Sequence, residues 1–279
     1  MKSFDITYFH GPFPQYIVKP ETIADIAASG ITLVPIGSDT ETNKTALKLL
    51  ARSGLRAVVH DPRIGQIYWS GDIASADSTV KEITGDYAEF DNIIGWDIVD
   101  EPNAAKFPVL GAIVNAFRRY SPDKETVINL FPNYASPEQL GNPDYVSHLE
   151  AFVNIVRPHL LSYDHYHFLG RQNRNAILDL DVDERERLIR LSAETTENRG
   201  GFFENIEDFR SVALKYDIDQ MLIVLLTEHG PYRNLTIGEL YWEVNMCLAY
   251  GMKRISYFTN WEPAHDDHWQ WTNAMCDTE

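Results

Sequence analysis

Eight short runs rich in β-branched and aromatic residues recur along this chain, separated by stretches of helical period, and that alternation limits its fold more than any other feature. The runs are Asp5–Phe9, Thr32–Ile36, Arg56–His60, Ile94–Val99, Thr126–Leu130, Leu160–Asp164, Met221–Leu226 and Arg254–Phe258. Between them, Glu21–Ser29, Asn43–Ser53, Phe107–Tyr120, Tyr145–Val156, Glu207–Tyr216 and Ile237–Tyr250 place apolar side chains three and four residues apart, as amphipathic helices do. Gly30, Gly54 and Gly251 each stand between such a helix and the next strand, where glycine accepts the left-handed conformation that ends the helix. Thr236-Ile237-Gly238-Glu239 has the pattern of a capping box, in which threonine and glutamate satisfy each other's backbone donors.

Strands that alternate with helices form parallel sheets, because each helix returns the chain to the start of the next strand. Eight such units over about 250 residues match a (β/α)8 barrel. A doubly wound open sheet is disfavoured, since the sequence after the first strand, His10 to Tyr16, lacks the glycine spacing of a phosphate-binding turn. Ala264–Glu279 is too polar and Trp-rich for a full eighth helix, so the barrel is expected to be truncated or irregular there. No Pro/Gly/Ser-rich tract divides the chain, and residues 1–279 read as one domain.

Charge and hydropathy exclude several functions. With 41 Asp plus Glu against 24 Lys plus Arg, the net charge of −17 argues against a nucleic-acid partner. The longest apolar run, Met221–Leu226, is far short of the roughly 20 residues of a membrane-spanning helix. The first ten residues carry polar groups where an export signal has its apolar stretch, which leaves the compartment open between cytoplasmic and processed periplasmic or secreted. Cys247 and Cys276 make neither a disulfide framework nor a metal-ligand spacing. The oligomeric state is not legible.

A barrel of this kind presents its chemistry at the carboxyl ends of its strands. Those ends are polar and aromatic here: His10; His60; Asp100 and Glu101; Asn133; Asp164, His165, Tyr166 and His167; Glu228 and His229; and Trp261. Glu101 and Glu228 stand out because each follows a strongly apolar strand, the fourth and the seventh. Two carboxylates facing each other over a pocket are what glycoside hydrolysis requires, one to protonate the departing oxygen and one to attack the anomeric carbon or activate water. Either glutamate alone could equally cap a helix or pair with an arginine such as Arg233. Trp69, Trp261, Trp269 and Trp271 are candidate platforms for the apolar faces of sugars, with core packing or helix docking as the alternative, whereas Trp96 and Trp242 lie mid-element and are expected in the core. The long connection Phe168–Asn205 either folds over the site or makes a solvated excursion.

Asp100-Glu101-Pro102 closing the fourth strand, a glutamate closing the seventh and Trp261 after the eighth resemble the clan A glycoside hydrolases, the retaining β-glycosidases with catalytic residues on strands four and seven. The resemblance covers essentially the whole chain and is strongest to β-galactosidase-like and β-glucanase-like bacterial members. It implies Glu101 as general acid/base, Glu228 as nucleophile, Trp261 as the floor beneath the cleaved sugar, Tyr166 or His165 near the nucleophile, a carbohydrate substrate and no cofactor. The remaining strand-end residues, His10, His60, Asp100, Asn133, Asp164, His167 and His229, are expected to bind sugar hydroxyls. One position departs from the clan: Asp100 stands where the clan has asparagine, and an ionised aspartate accepts hydrogen bonds without donating any.

Two other readings compete. His165 and His167, with His10, His60, Asp164, Glu101 and His229, could ligate a divalent metal in a barrel hydrolase or isomerase. A carbohydrate-binding barrel without catalysis is the other, since one fold hosts many functions.

Overall fold

The computed structural model describes residues 4–170, 196–229 and 231–259. Eight parallel strands form one sheet: β1 (Asp5–Tyr8), β2 (Leu33–Gly37), β3 (Arg56–His60), β4 (Ile93–Asp100), β5 (Glu125–Leu130), β6 (Leu160–Asp164), β7 (Asp219–Leu225) and β8 (Arg254–Phe258). The order around the sheet is β1-β8-β7-β6-β5-β4-β3-β2. Closure between β1 and β2 is made just ahead of β2. There the Thr32 backbone N–H donates to the Ile6 carbonyl at 3.0 Å, and its hydroxyl accepts from the Ile6 N–H at 3.0 Å. The result is a nearly closed (β/α)8 barrel, with every expected strand in place.

Helices Pro20–Ala28, Thr40–Arg52, Phe107–Tyr120, Tyr145–Val156, Phe202–Tyr216 and Ile237–Ala249 follow the predicted periodicity. The capping box at Thr236 and Glu239 forms as expected. Two helices the sequence reading did not single out, Pro62–Ser70 and Ile73–Asp86, lie between β3 and β4. Asp61 and Asp72 cap them, each carboxylate accepting from backbone N–H groups of the first turn that have no partner within the helix. Alternation sorts β4 between two environments: Trp96 points outward and stacks on Phe117 at 5.0 Å, as a core residue should. Asp97 instead lines the cavity inside the barrel.

The amino end of the barrel is closed by ions. Arg56 pairs with Asp5, and Arg254 pairs with Glu125 at 2.5 Å while standing 3.7 Å from Asp5. Gly95 makes room for this arrangement, because a Cβ there would come within 2.8 Å of the Glu125 Cγ. Above this floor the barrel is hollow: a cavity of about 370 Å³ runs from Arg254, Met221 and Ile223 up to His10, His60 and Asn129 at the mouth. Of the long connection after β6, the ends pair as a short antiparallel ladder, Phe168–Gly170 with Thr196–Asn198. Residues 171–195 and 260–279, with Trp261, Trp269, Trp271 and Cys276, lie outside the described residues.

Candidate active site

The strand ends meet at one mouth, and two of them are held in uncommon backbone conformations. His10 (φ 35°) and Glu101 (φ 44°) are among the non-glycine residues with positive φ. Such residues cost about 1–3 kcal/mol each and cluster at functional sites. Glu101 is fixed further by its backbone N–H, which donates to the Asn129 carbonyl at 2.9 Å.

Four acids gather around β4 to β6. Asn129 lies between two of them, its amide nitrogen donating to Asp100 at 3.0 Å and to Asp164 at 2.8 Å. Asp164 is buried, whereas Asp100, although surrounded by protein, is reached by solvent. Desolvation favours the neutral form of an acid, and neighbouring negative charge adds to the effect. Burial, with Asp97 nearby, pushes Asp100 up to about 6. Burial and the charge of Asp100 push Asp164 up to about 7. Burial, then Asp164, then Asp100 push Glu101 up to about 8. Asp97 is also raised by burial, with His60 opposing the shift. Glu101 therefore holds its proton at neutral pH.

Glu228 is buried, 3% exposed, on the turn that follows β7. That turn is tied to the end of β8: the Leu226 and Thr227 N–H groups both donate to the Phe258 carbonyl, and the Thr227 hydroxyl donates to the Thr259 carbonyl at 2.8 Å. Arg233, the arginine a strand-end glutamate could have taken, makes a bidentate pair with Glu239 at 2.6 and 2.9 Å.

The histidines divide. His10 and His229 lie on Phe258, at 5.4 and 4.5 Å between ring centroids, and burial lowers both to about 4. Tyr166 meets His229 edge-on at 5.3 Å. The His60 Nδ1 is 3.0 Å from the Asp97 carbonyl. His165 and His167 stand 6.3 Å apart between ring centroids, both against Phe202. The strand ends at Asp164, and each ring also has a partner of its own: His165 bonds the Asn205 Oδ1 at 2.9 Å, while His167 stacks on Trp242 at 5.3 Å. Burial also lowers His165 to about 4. Among the described residues no three His, Cys, Asp or Glu side chains converge on a point where a metal could sit.

One other expected binding residue, Asn133, also anchors a helix. Asn133 holds the start of helix Phe202–Tyr216, its N–H accepted by the Asn205 side chain and its amide donating to the Gly201 carbonyl. Trp242 is half-buried, packed against the main core and in contact with Phe168, Phe202 and His167. Trp69, 73% exposed, sits on helix Pro62–Ser70, and both its Cδ1 and the His60 Nε2 lie about 4 Å from the point where a Gly65 Cβ would stand. It therefore flanks the mouth on the β3 side.

Three residues outside the expected set belong to the site. Asn129 and Asp97 are strand-end polar residues whose importance appears only with the neighbouring strands. Arg199, just past the antiparallel ladder, lies 3.8 Å over the Tyr134 ring and donates to the Tyr232 hydroxyl. Nothing local in the sequence marks it.

No known family profile matches the chain, and no curated protein matches it. Solved structures do. A β-galactosidase from the psychrophilic Marinomonas ef1 is 10% identical with a TM-score of 0.61, over 98% of this chain and 56% of that one, so this chain spans little more than half its length. A Bacteroides thetaiotaomicron protein provisionally assigned as an alpha-L-fucosidase is 11% identical with a TM-score of 0.60, covering 96% of this chain and 88% of the other. A β-glucosidase from Thermotoga maritima is 9% identical with a TM-score of 0.57, over 95% and 82% of the two chains. The chain thus has the (β/α)8 barrel fold seen in glycoside hydrolases.

Proposed function

We propose that this protein hydrolyses β-glycosidic bonds with retention, using Glu101 as general acid/base and Glu228 as nucleophile. The observation that carries the reading is Glu101: a carboxyl at the end of β4, raised to about 8, is protonated at the pH where a glycosidic oxygen needs a proton. Glu228, at the end of β7, is the second carboxyl such chemistry requires. Its attack on the anomeric carbon breaks the glycosidic bond while Glu101 gives its proton to the leaving oxygen. Water then attacks the glycosyl-enzyme, giving its proton back to Glu101. The barrel fold, shared with enzymes named for β-linked galactose and glucose, supports a β-linked oligo- or polysaccharide substrate. His10, His60, Asp100, Asp164, Tyr166 and His229 would line the sugar site, with Trp69 as an outer platform.

The test is release from aryl β-glycosides and β-linked oligosaccharides by the parent and by Glu101→Ala, with and without a chelator. The variant should lose about 10²–10⁴ in rate on oligosaccharides and far less on aryl substrates whose leaving groups need no proton. Equal losses on both, or activity abolished by the chelator and restored by metal, would remove this mechanism.

A further inference from the structure

Strand register brings three polar side chains abreast at the mouth. Asp100 is aligned with Asn129 across β4 and β5, and Asn129 with Ser162 across β5 and β6. Asp164, two residues past Ser162, lies on the same face of β6. The Ser162 hydroxyl donates to the Asn129 Oδ1 at 2.9 Å, which fixes the orientation of the amide. The Asn129 nitrogen then uses both of its hydrogens, one on Asp100 and one on Asp164. The backbone carbonyl of the same residue holds the Glu101 N–H. One asparagine therefore ties three acids from two strands into a single unit.

We propose that Asp164 is a positioning residue for the hydrolysis: through Asn129 it locks Asp100 beside Glu101, and its carboxylate keeps the Glu101 proton in place until the leaving oxygen takes it. The proposal rests on Glu101 being the acid. Above about pH 7, where Asp164 is ionised, its charge disfavours ionisation of Glu101 and so holds the acid loaded. The groups facing this unit are compatible. Asp164 is the charged neighbour with the largest effect on Glu101, ahead of Asp100. Asp97 lies below, against His60. Tyr134, Tyr145, Tyr163 and Tyr166, which all feel the Asp164 charge, have hydroxyls pushed above their ordinary range and stay neutral. The arrangement also accounts for aspartate at position 100. An acid there adds to the field on Glu101, and Asn129 supplies the donor that stops Asp100 and Asp164 from repelling each other apart.

The experiment follows the Glu101 carboxyl directly, by ¹³C NMR titration of protein labelled at glutamate Cδ, with the Glu101 signal assigned by its absence in Glu101→Gln. In Asp164→Asn, which preserves size and the contact with Asn129, the Glu101 midpoint should fall by about one pH unit or more. In Asp100→Asn it should fall by less. With a midpoint lowered from 8 to 7, the ratio of oligosaccharide hydrolysis at pH 8 to that at pH 6 should fall about fivefold below the parent's, with aryl substrates of good leaving group little changed. A Glu101 titration unmoved in Asp164→Asn, including one accompanied by uniform loss of rate at every pH, overturns the proposal. Should that variant fail to fold, an unmoved or raised midpoint in Asp100→Asn overturns it instead. A lowered midpoint in an enzyme that cleaves no glycoside would leave the electrostatic link standing and refute the proposed function.

Discussion

Glu243 offers a test of the electrostatic reasoning away from the site. It lies on helix Ile237–Ala249 with a fully buried side chain, and neither carboxyl oxygen has a hydrogen-bond partner of normal geometry. Burial pushes it well above the ordinary range and the charge of Glu239 adds to this; the backbone at Leu225 offsets only part. The folded protein therefore keeps Glu243 protonated, while the unfolded chain ionises it near pH 4.3. Between those two values the native state binds one proton more than the unfolded state, so stability falls as pH rises, by about 1.4 kcal/mol per unit. From pH 5 to pH 7 the group should remove up to about 2.7 kcal/mol. Glu243→Met fills a similar volume without an ionisable group. Urea unfolding of parent and variant at pH 5, 6 and 7 measures the difference, and subtraction cancels the acids of the mouth, whose raised values slope the same way. The variant's stability relative to the parent should increase with pH, by at most about 1.4 kcal/mol per unit and for as long as folded Glu243 keeps its proton. A packing penalty would shift the whole line without changing its slope. A difference that is flat with pH would show Glu243 to be ionised in the folded state and the burial argument to be wrong.

Two further outcomes are expected at the site itself. Glu228→Ala should reduce turnover of even the most activated aryl glycosides to background while its circular-dichroism melt still shows a cooperative transition; full activity would remove Glu228 from the mechanism. Trp69→Ala, at an exposed position, should leave stability unchanged and raise KM for oligosaccharides by about 2- to 12-fold, the range that corresponds to one lost aromatic contact; an unchanged KM would place Trp69 outside the substrate path.

The barrel was legible because its signals are local. Each strand is an apolar run bounded by polar residues, and glycine or a cap marks many of the helix ends. Helix Ile73–Asp86 escaped because it buries little: Ala76, Val80 and Ile83 are its buried apolar residues, too small a stripe to register as a period. Helix Phe202–Tyr216 begins five residues ahead of the expected Glu207, since Phe202 and Asn205 are buried by neighbours distant in sequence. The partners of His165 and His167 were not legible for a related reason. They lie past the end of β6 at Asp164, and Asn205 and Trp242, which they meet, come from helices distant in sequence.

The same limit separates the residues of the mouth from their chemistry. Placement at strand ends was enough to select Glu101, Asp100, Asp164 and Glu228 as carboxyls of interest. Adjacent acids at positions 100 and 101 already imply that one of them is pushed up by mutual repulsion; the part of Asp164 and Asn129 was not legible, because it depends on which carboxyls share a donor, and that is decided by register across β4, β5 and β6. A slip of one residue in β5 would turn Asn129 out of the barrel and leave Asp100 and Asp164 unbridged. The mouth would then hold the same acids in the same strands with nothing between them, and repulsion would be relieved by protonating Asp100 or Asp164 in place of Glu101. The position of a single amide thus decides which acid carries the proton, and with it whether a glutamate at the end of β4 can serve as a general acid at neutral pH.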